Sequence, residues 1–165
     1  MEQNPYQAPE TAVVDPARDD QLAGRGERLA AALLDTVIML VLVCPVMFTT
    51  GYWQAASSGQ APGFGMQLLY GLMGFVIFVL VQGYPLSASG QTWGKRLMKI
   101  RIVDLQGEKP SFATLIAKRY LPVQVAGLVP FLGNLAALVD VLMIFRADCR
   151  CGHDLIAGTR VVKAD

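Results

Sequence analysis

Residues 29–50 read LAAALLDTVIMLVLVCPVMFTT, 22 residues with a single charge at Asp35. At 1.5 Å per residue a helix of that length spans about 30 Å, the thickness of a bilayer's hydrocarbon core. The stretch predicts a transmembrane helix over about 28–50, with Pro45 no more than a kink near its end. Downstream, 66–84 holds 19 uncharged residues, with Gln67 and Gln82 near its ends and Tyr84-Pro85 as the expected stop. It predicts a second span. The intervening GYWQAASSGQAPGFG carries four glycines and no charge, and it places Tyr52 and Trp53 where an interfacial aromatic belt belongs. It predicts a short external loop.

The whole chain agrees with these two runs. Of its 165 residues 53 % are apolar and 16 % charged, and its mean hydropathy is +0.42. A soluble domain carries nearer a quarter charged residues, so the composition argues against an ordinary soluble enzyme, and it excludes disorder throughout. The length allows one domain. A net charge of +1 argues against a nucleic-acid partner unless the charge is segregated. Three cysteines, an odd number, make no disulfide framework. Glu2, Glu10, Asp15, Asp19 and Asp20 precede any apolar run, which does not make a cleaved leader. Residues 1–22, with three prolines and these five acids, read as a disordered tail whose Asn4-Pro5-Tyr6 opening is a leader rather than a docking peptide. Residues 23–165 form the membrane domain.

Beyond the second span the character changes. Residues 86–110 are basic, and alternation with β-branching predicts a strand at about 98–104, ended by a Gln106-Gly107 turn. Ser111 opens a helical pattern over 111–129, amphipathic and tilted or incomplete, with Lys118, Arg119 and Pro122 inside it. A further apolar helix follows at 133–146 with Asp140 inside. Thr159 to Lys163 alternates again, and a lone strand leaves its backbone unsatisfied. Pairing with 99–104 is therefore expected, with Gly94 and Gly158 supplying the turns.

The 14 Lys and Arg are segregated after all. Three precede the first span, seven follow the second, four lie in the tail, and none lies in the loop between the spans. The positive-inside rule then places both termini and 86–110 in the cytoplasm. A single crossing by 111–145 would put the basic tail outside, so two passes are preferred. The expected fold class is an all-α polytopic membrane protein of about four helices, spans or half-spans, whose cytoplasmic lobe (86–110 plus 147–165) holds a small two-stranded β element.

Four motifs carry chemistry. Gly90-Gln-Thr92-Trp-Gly94-Lys95-Arg96 is not a phosphate loop: three residues separate the glycines where four are needed, and Arg96 stands where a magnesium-holding hydroxyl belongs. A basic interfacial turn facing anionic lipid is the better reading. Arg28 and Asp35 fall on one helix face, two turns and about 10 Å apart. Asp35 and Asp140 lie in apolar runs, where an acid is either an ion or proton site or part of an ion-pair clasp with Arg28 or Arg119. Cys149, Cys151, His153 and Asp154 gather metal-ligating side chains in six residues, with Cys149, Cys151 and His153 as metal candidates, although an incidental reduced turn is the simpler reading. No nucleophile and base stand together, so no enzyme is expected and no cofactor.

These residues resemble the RDD family of small bacterial integral membrane proteins, named for one arginine and two aspartates. Arg28 and Asp35 in RLAAALLD and Asp140 in ALVDVLMIF fall in matching places. The run SGQTWGKRLMKIRIVDLQGEKPSFATLIAKR resembles the family's cytoplasmic signature, through Gly90, Thr92, Gly94, Lys95, Arg96 and Asp104. The ending HDLIAGTRVV, with His153, Asp154, Gly158 and Thr159, is similar to its usual close, whereas the Cys-x-Cys turn departs from the pattern. The resemblance implies the bacterial inner membrane. Because some members are associated with sodium or proton exchange, it also implies a small-cation or proton transporter built on Arg28, Asp35, Asp140 and Arg119, with Na+ or H+ as cargo and a homo-oligomer to enclose a pathway. The rival expectation is a non-transporting adaptor or assembly factor whose basic lobe binds lipid headgroups or a partner. A transport acid should be reachable by water, and a clasp acid should be buried and paired.

Overall fold

The computed structural model describes residues 22–59, 63–129 and 132–164. The expected tail, with its Asn4-Pro5-Tyr6 opening, lies outside these residues except for Leu22, which bridges Val162. Helix α1 (Arg25–Thr49) starts where Glu27 accepts the Gly24 N–H at 2.7 Å. It runs for 25 residues with Pro45 inside. The expected external loop contains a short helix, α2 (Tyr52–Ser57), whose Tyr52 and Trp53 rings gather with Phe48 and Tyr70.

Helix α3 (Phe64–Ser89) does not stop at Tyr84-Pro85. Proline has no N–H to donate to the carbonyl four residues back. That carbonyl, Val81 O, is taken instead by the indole N–H of Trp93 at 2.8 Å, so the helix continues past Pro85 to Ser89 without an orphaned acceptor. It ends at Gly90, where φ is +68° and an added Cβ would fall 2.9 Å from Ile102 O.

The chain then folds into the lobe. Helix α4 (Trp93–Leu97) leads to β1 (Ile100–Asp104). The Asp104 carboxylate accepts the N–H groups of Gln106 and Glu108 at 2.9 Å each, which sets the turn after the strand. Ser111 caps the next helix, its Oγ accepting the Thr114 N–H at 3.1 Å. This helix runs as α5 (Phe112–Thr114), a π-helical segment (Leu115–Tyr120) and α6 (Leu121–Gly127). The wider spacing closes with Leu121 N–H on Ile116 O, immediately before Pro122, which has no N–H to continue the ladder. Helix α7 (Leu132–Leu142), a 3₁₀ turn (Met143–Phe145) and α8 (Gly152–Ala157) lead to β2 (Thr159–Lys163). The two strands pair, as alternation predicted, and the pairing is antiparallel with Ile102 opposite Val161. Gly158 is the left-handed cap before β2. Gly94 supplies no turn: it lies inside α4, and its role is close packing.

The buried apolar residues lie at the lobe end: Ala23, Ala31, Leu86, Ile100, Ile102, Leu115 and Val161. Along the long helices the apolar side chains face outward, with Val41 67 % and Leu80 75 % exposed. Water would penalise such surface, so a hydrocarbon solvent is implied. The most apolar windows of α1 and α3 are 6 % and 0 % buried, which is not the state of a soluble core helix. Among the described residues these two alone are long enough to cross a membrane. The stretches expected at 111–129 and 133–146 are helical but shorter than a full span.

Candidate functional site

Three charged groups converge where the lobe meets the helices. Arg28 comes from the start of α1, Arg119 from the π-helical segment and Asp154 from the first turn of α8. Asp154 is fully buried and bonds to both guanidinium groups: Arg28 Nη2 donates to Oδ2 at 2.5 Å, and Arg119 Nη1 donates to Oδ1. Arg28 also donates to Cys149 O, and Arg119 to Thr159 Oγ1 at 2.5 Å. Oδ2 further accepts the Cys151 N–H at 3.1 Å, so the carboxylate caps α8 while it clamps α1 and the π-helical segment. Burial alone would raise the Asp154 pKa, but Arg119 and Arg28 hold it far below the usual carboxylate range.

The pairing expected from spacing is thus not the pairing that forms, and Asp35 and Asp140 take no arginine. Asp35 caps α4. Its Oδ1 accepts the Gly94 N–H at 2.8 Å and the Gln82 amide at 3.0 Å, and its Oδ2 accepts the Thr92 hydroxyl. Lys95 Nζ stands 4.0 Å from Oδ2. Gln82, fully buried, also accepts the Trp93 N–H at 2.9 Å. The Gly-x-Thr-x-Gly-Lys-Arg signature is therefore a docking device. Gly90 turns the chain, Thr92 starts α4 and takes Asp35, and Gly94 lets α4 meet α1, where a Cβ would collide with Ala31 O and sit 2.9 Å from Asp35 Cγ. Arg96 lies outside the cluster, over the Trp93 ring at 5.7 Å.

Asp140 caps α8 from α7. It accepts the His153 N–H at 2.8 Å through Oδ1, while Oδ2 is 2.6 Å from His153 Nδ1. Burial lowers the His153 pKa below 6.5, and Arg119 adds to the decrease although Asp140 opposes it. The imidazole is neutral at pH 7, with Nδ1–H donating to the carboxylate. Asp140, His153, Arg119 and Tyr120 line a cavity of about 410 Å³ that also touches α1 and α3.

The metal candidates are only partly assembled. Ligand atoms of Cys151, His153 and Asp154 lie within 4.8 Å of one another, but both Asp154 oxygens are bonded to arginines. Burial pushes the Cys151 thiol up, away from the thiolate a metal needs. Cys149 offers its carbonyl to Arg28. Two guanidinium groups beside the set oppose a further cation.

Sequence reasoning missed two features. From the sequence Asp154 belongs to the closing motif and the metal-ligating turn and not to the paired charges, because its helix is short and its partners lie 126 and 35 residues away. Gln82 passed as a span-end amide. Its signal was a polar amide inside an apolar run, which requires a partner.

Long apolar helices exposed along their sides, with a polar lobe clamped to one end, point to a membrane protein. The chain belongs to the RDD family, which it matches over residues 22–158. It is 37 % identical over 146 residues to the "Uncharacterized protein YckC" of Bacillus subtilis (strain 168), a match covering 86 % of this chain and 85 % of the relative. No solved structure matches.

Proposed function

We propose that this is a polytopic protein of the bacterial inner membrane, with both termini cytoplasmic, that acts as a non-transporting adaptor by holding a basic cytoplasmic lobe rigidly at the bilayer surface. Helices α1 and α3 cross, and the shorter pair α6 and α7 enters as half-spans and returns the chain to the cytoplasm. The observation that carries this reading is the buried Arg28–Asp154–Arg119 clamp, together with the full engagement of Asp35 by Thr92, Gln82 and Gly94. Acids held in this way fix the lobe in place. Exposed Arg96, Lys99, Arg101, Lys109 and Lys163 give it a cationic surface, each cation being worth about 1 kcal/mol near anionic lipid.

The alternative, transport of Na+ or H+ by a homo-oligomer, is favoured by one observation: the hydrogen-bonded Asp140 and His153 line the cavity between the helices. Proteoliposomes separate the two readings. The adaptor reading expects no Na+, K+ or H+ flux from wild-type protein under any gradient, and less folded protein for Asp35→Asn. Ion-coupled flux in the wild type, lost in a well-folded Asp35→Asn or Asp140→Asn protein, would replace it with transport.

A further inference from the structure

A cleft of about 410 Å³, open on one side, lies between α1, α3 and α6, and its volume falls within the range of about 300–1,000 Å³ usual for small-molecule sites. Its walls are apolar: Met39 from α1, Phe75 and Phe78 from α3, Val123 from α6. Its floor is polar, where Arg119, Tyr120 and His153 meet the lobe.

The charges at that floor balance as a set: the two cations Arg28 and Arg119 face the two carboxylates Asp154 and Asp140, beside a neutral His153. An ionised head would lose its hydration and find no free counter-charge. Hydrogen-bonding capacity is nevertheless left over. The bonds of Arg119 to Asp154 and Thr159 leave from Nη1, and the guanidinium also lies beside the Tyr120 hydroxyl. The Tyr120 hydroxyl makes no well-aligned hydrogen bond among the described residues; Arg119 beside it can only donate, so the hydroxyl proton is left without an acceptor. A buried hydroxyl without a partner is unfavourable, and an oxygen supplied by a ligand would satisfy it. Gly74 lines the wall, and a Cβ built there meets nothing within 4 Å, so space is open beside α3.

We propose that this cavity binds an uncharged amphiphile, with its apolar chain or ring between α3 and α6 and a hydroxyl or carbonyl head at Arg119 and Tyr120. A membrane quinone and a diacylglycerol share that chemistry. The site goes beyond the adaptor reading and needs only that α1 and α3 lie in lipid, so failure of either leaves the other standing.

The full chain in phosphatidylcholine nanodiscs is photolysed with hexadecanol carrying a mid-chain diazirine, and the labelled peptides are mapped by mass spectrometry. Labelling is expected to concentrate on Phe75, Phe78 and Val123, and to exceed that given by the matching alkane and carboxylate probes. Gly74→Leu fills the space on a helix where leucine is favoured over glycine, and most of the labelling should be lost. Val123→Phe fills the same space from α6 and should do likewise. Tyr120→Phe should lower labelling by the alcohol and leave that by the alkane unchanged. Competition by decylubiquinone or by dioleoylglycerol identifies the source. Labelling spread over all lipid-facing helices, equal for alcohol and alkane, or unchanged in both cavity-filling variants, would overturn the proposal.

Discussion

The Asp35 carboxylate and the Gly94 backbone are joined across 59 residues, with Oδ1 accepting the Gly94 N–H at 2.8 Å. The contact exists because Gly94 has no Cβ to strike Ala31 O. An acid within an apolar helix and a glycine in a basic turn are thus two halves of one joint.

Gly94→Ala should break that joint. The added methyl meets a backbone carbonyl, which cannot rotate away, so a loss of about 1–3 kcal/mol is expected. Gly26→Ala in α1, where a Cβ meets nothing within 4 Å, should be neutral or stabilising by up to about 1 kcal/mol. Thermal unfolding followed by size-exclusion chromatography compares the two. Equal melting points would refute the packing role of Gly94.

Asp154→Asn leaves two buried arginines without a counter-charge, at a cost of about 3–5 kcal/mol. Asp35→Asn loses hydrogen bonds to neutral donors and should cost less, about 1.5–3 kcal/mol. The same unfolding measurement should rank Asp154→Asn as the more damaging. The reverse order would show that the clamp is not the main fastening.

Acid should loosen the lobe in two stages. The His153 pKa is lowered on folding below 6.5, so the unfolded chain binds the extra proton first, and this stabilisation is complete above pH 6.5 and lost as pH falls below it. The Asp154 pKa is also depressed. Its contribution is complete above the ordinary carboxylate range, near 3.8, and is lost only at still lower pH. Melting points measured from pH 8 to 5 should therefore fall, and His153→Gln should flatten the decline. An unchanged slope in that variant would assign the decline to another group.

Orientation is checked by labelling from outside the cell. In a background without native cysteines Ser57→Cys, exposed in α2, should react with a membrane-impermeant maleimide. Cysteine restored at 149 should not react until the membrane is opened. Reaction of residue 149 from the outer face would place the lobe on the wrong side.

What the sequence determined by itself was whatever depends on near neighbours in the chain. The long apolar runs defined α1 and α3, since burial in hydrocarbon is decided by composition over about 20 residues. Alternation located β1 and β2 and their need of a partner, whereas the antiparallel direction and the register came only with the fold. Pro85 marks the limit of such reasoning: as a helix breaker it read as a stop, yet a tryptophan from the next element satisfied the carbonyl it left free. The charges were beyond local reading altogether. Arg28 and Asp35 share a helix face, but a pair seven residues apart on a rigid helix cannot close, whereas Asp154 is carried into reach by the strand pairing and the π-helical turn. Which acid meets which arginine was decided only by the tertiary structure, because a buried ion pair forms where folding brings two groups into one unhydrated space, and distance along the chain does not enter.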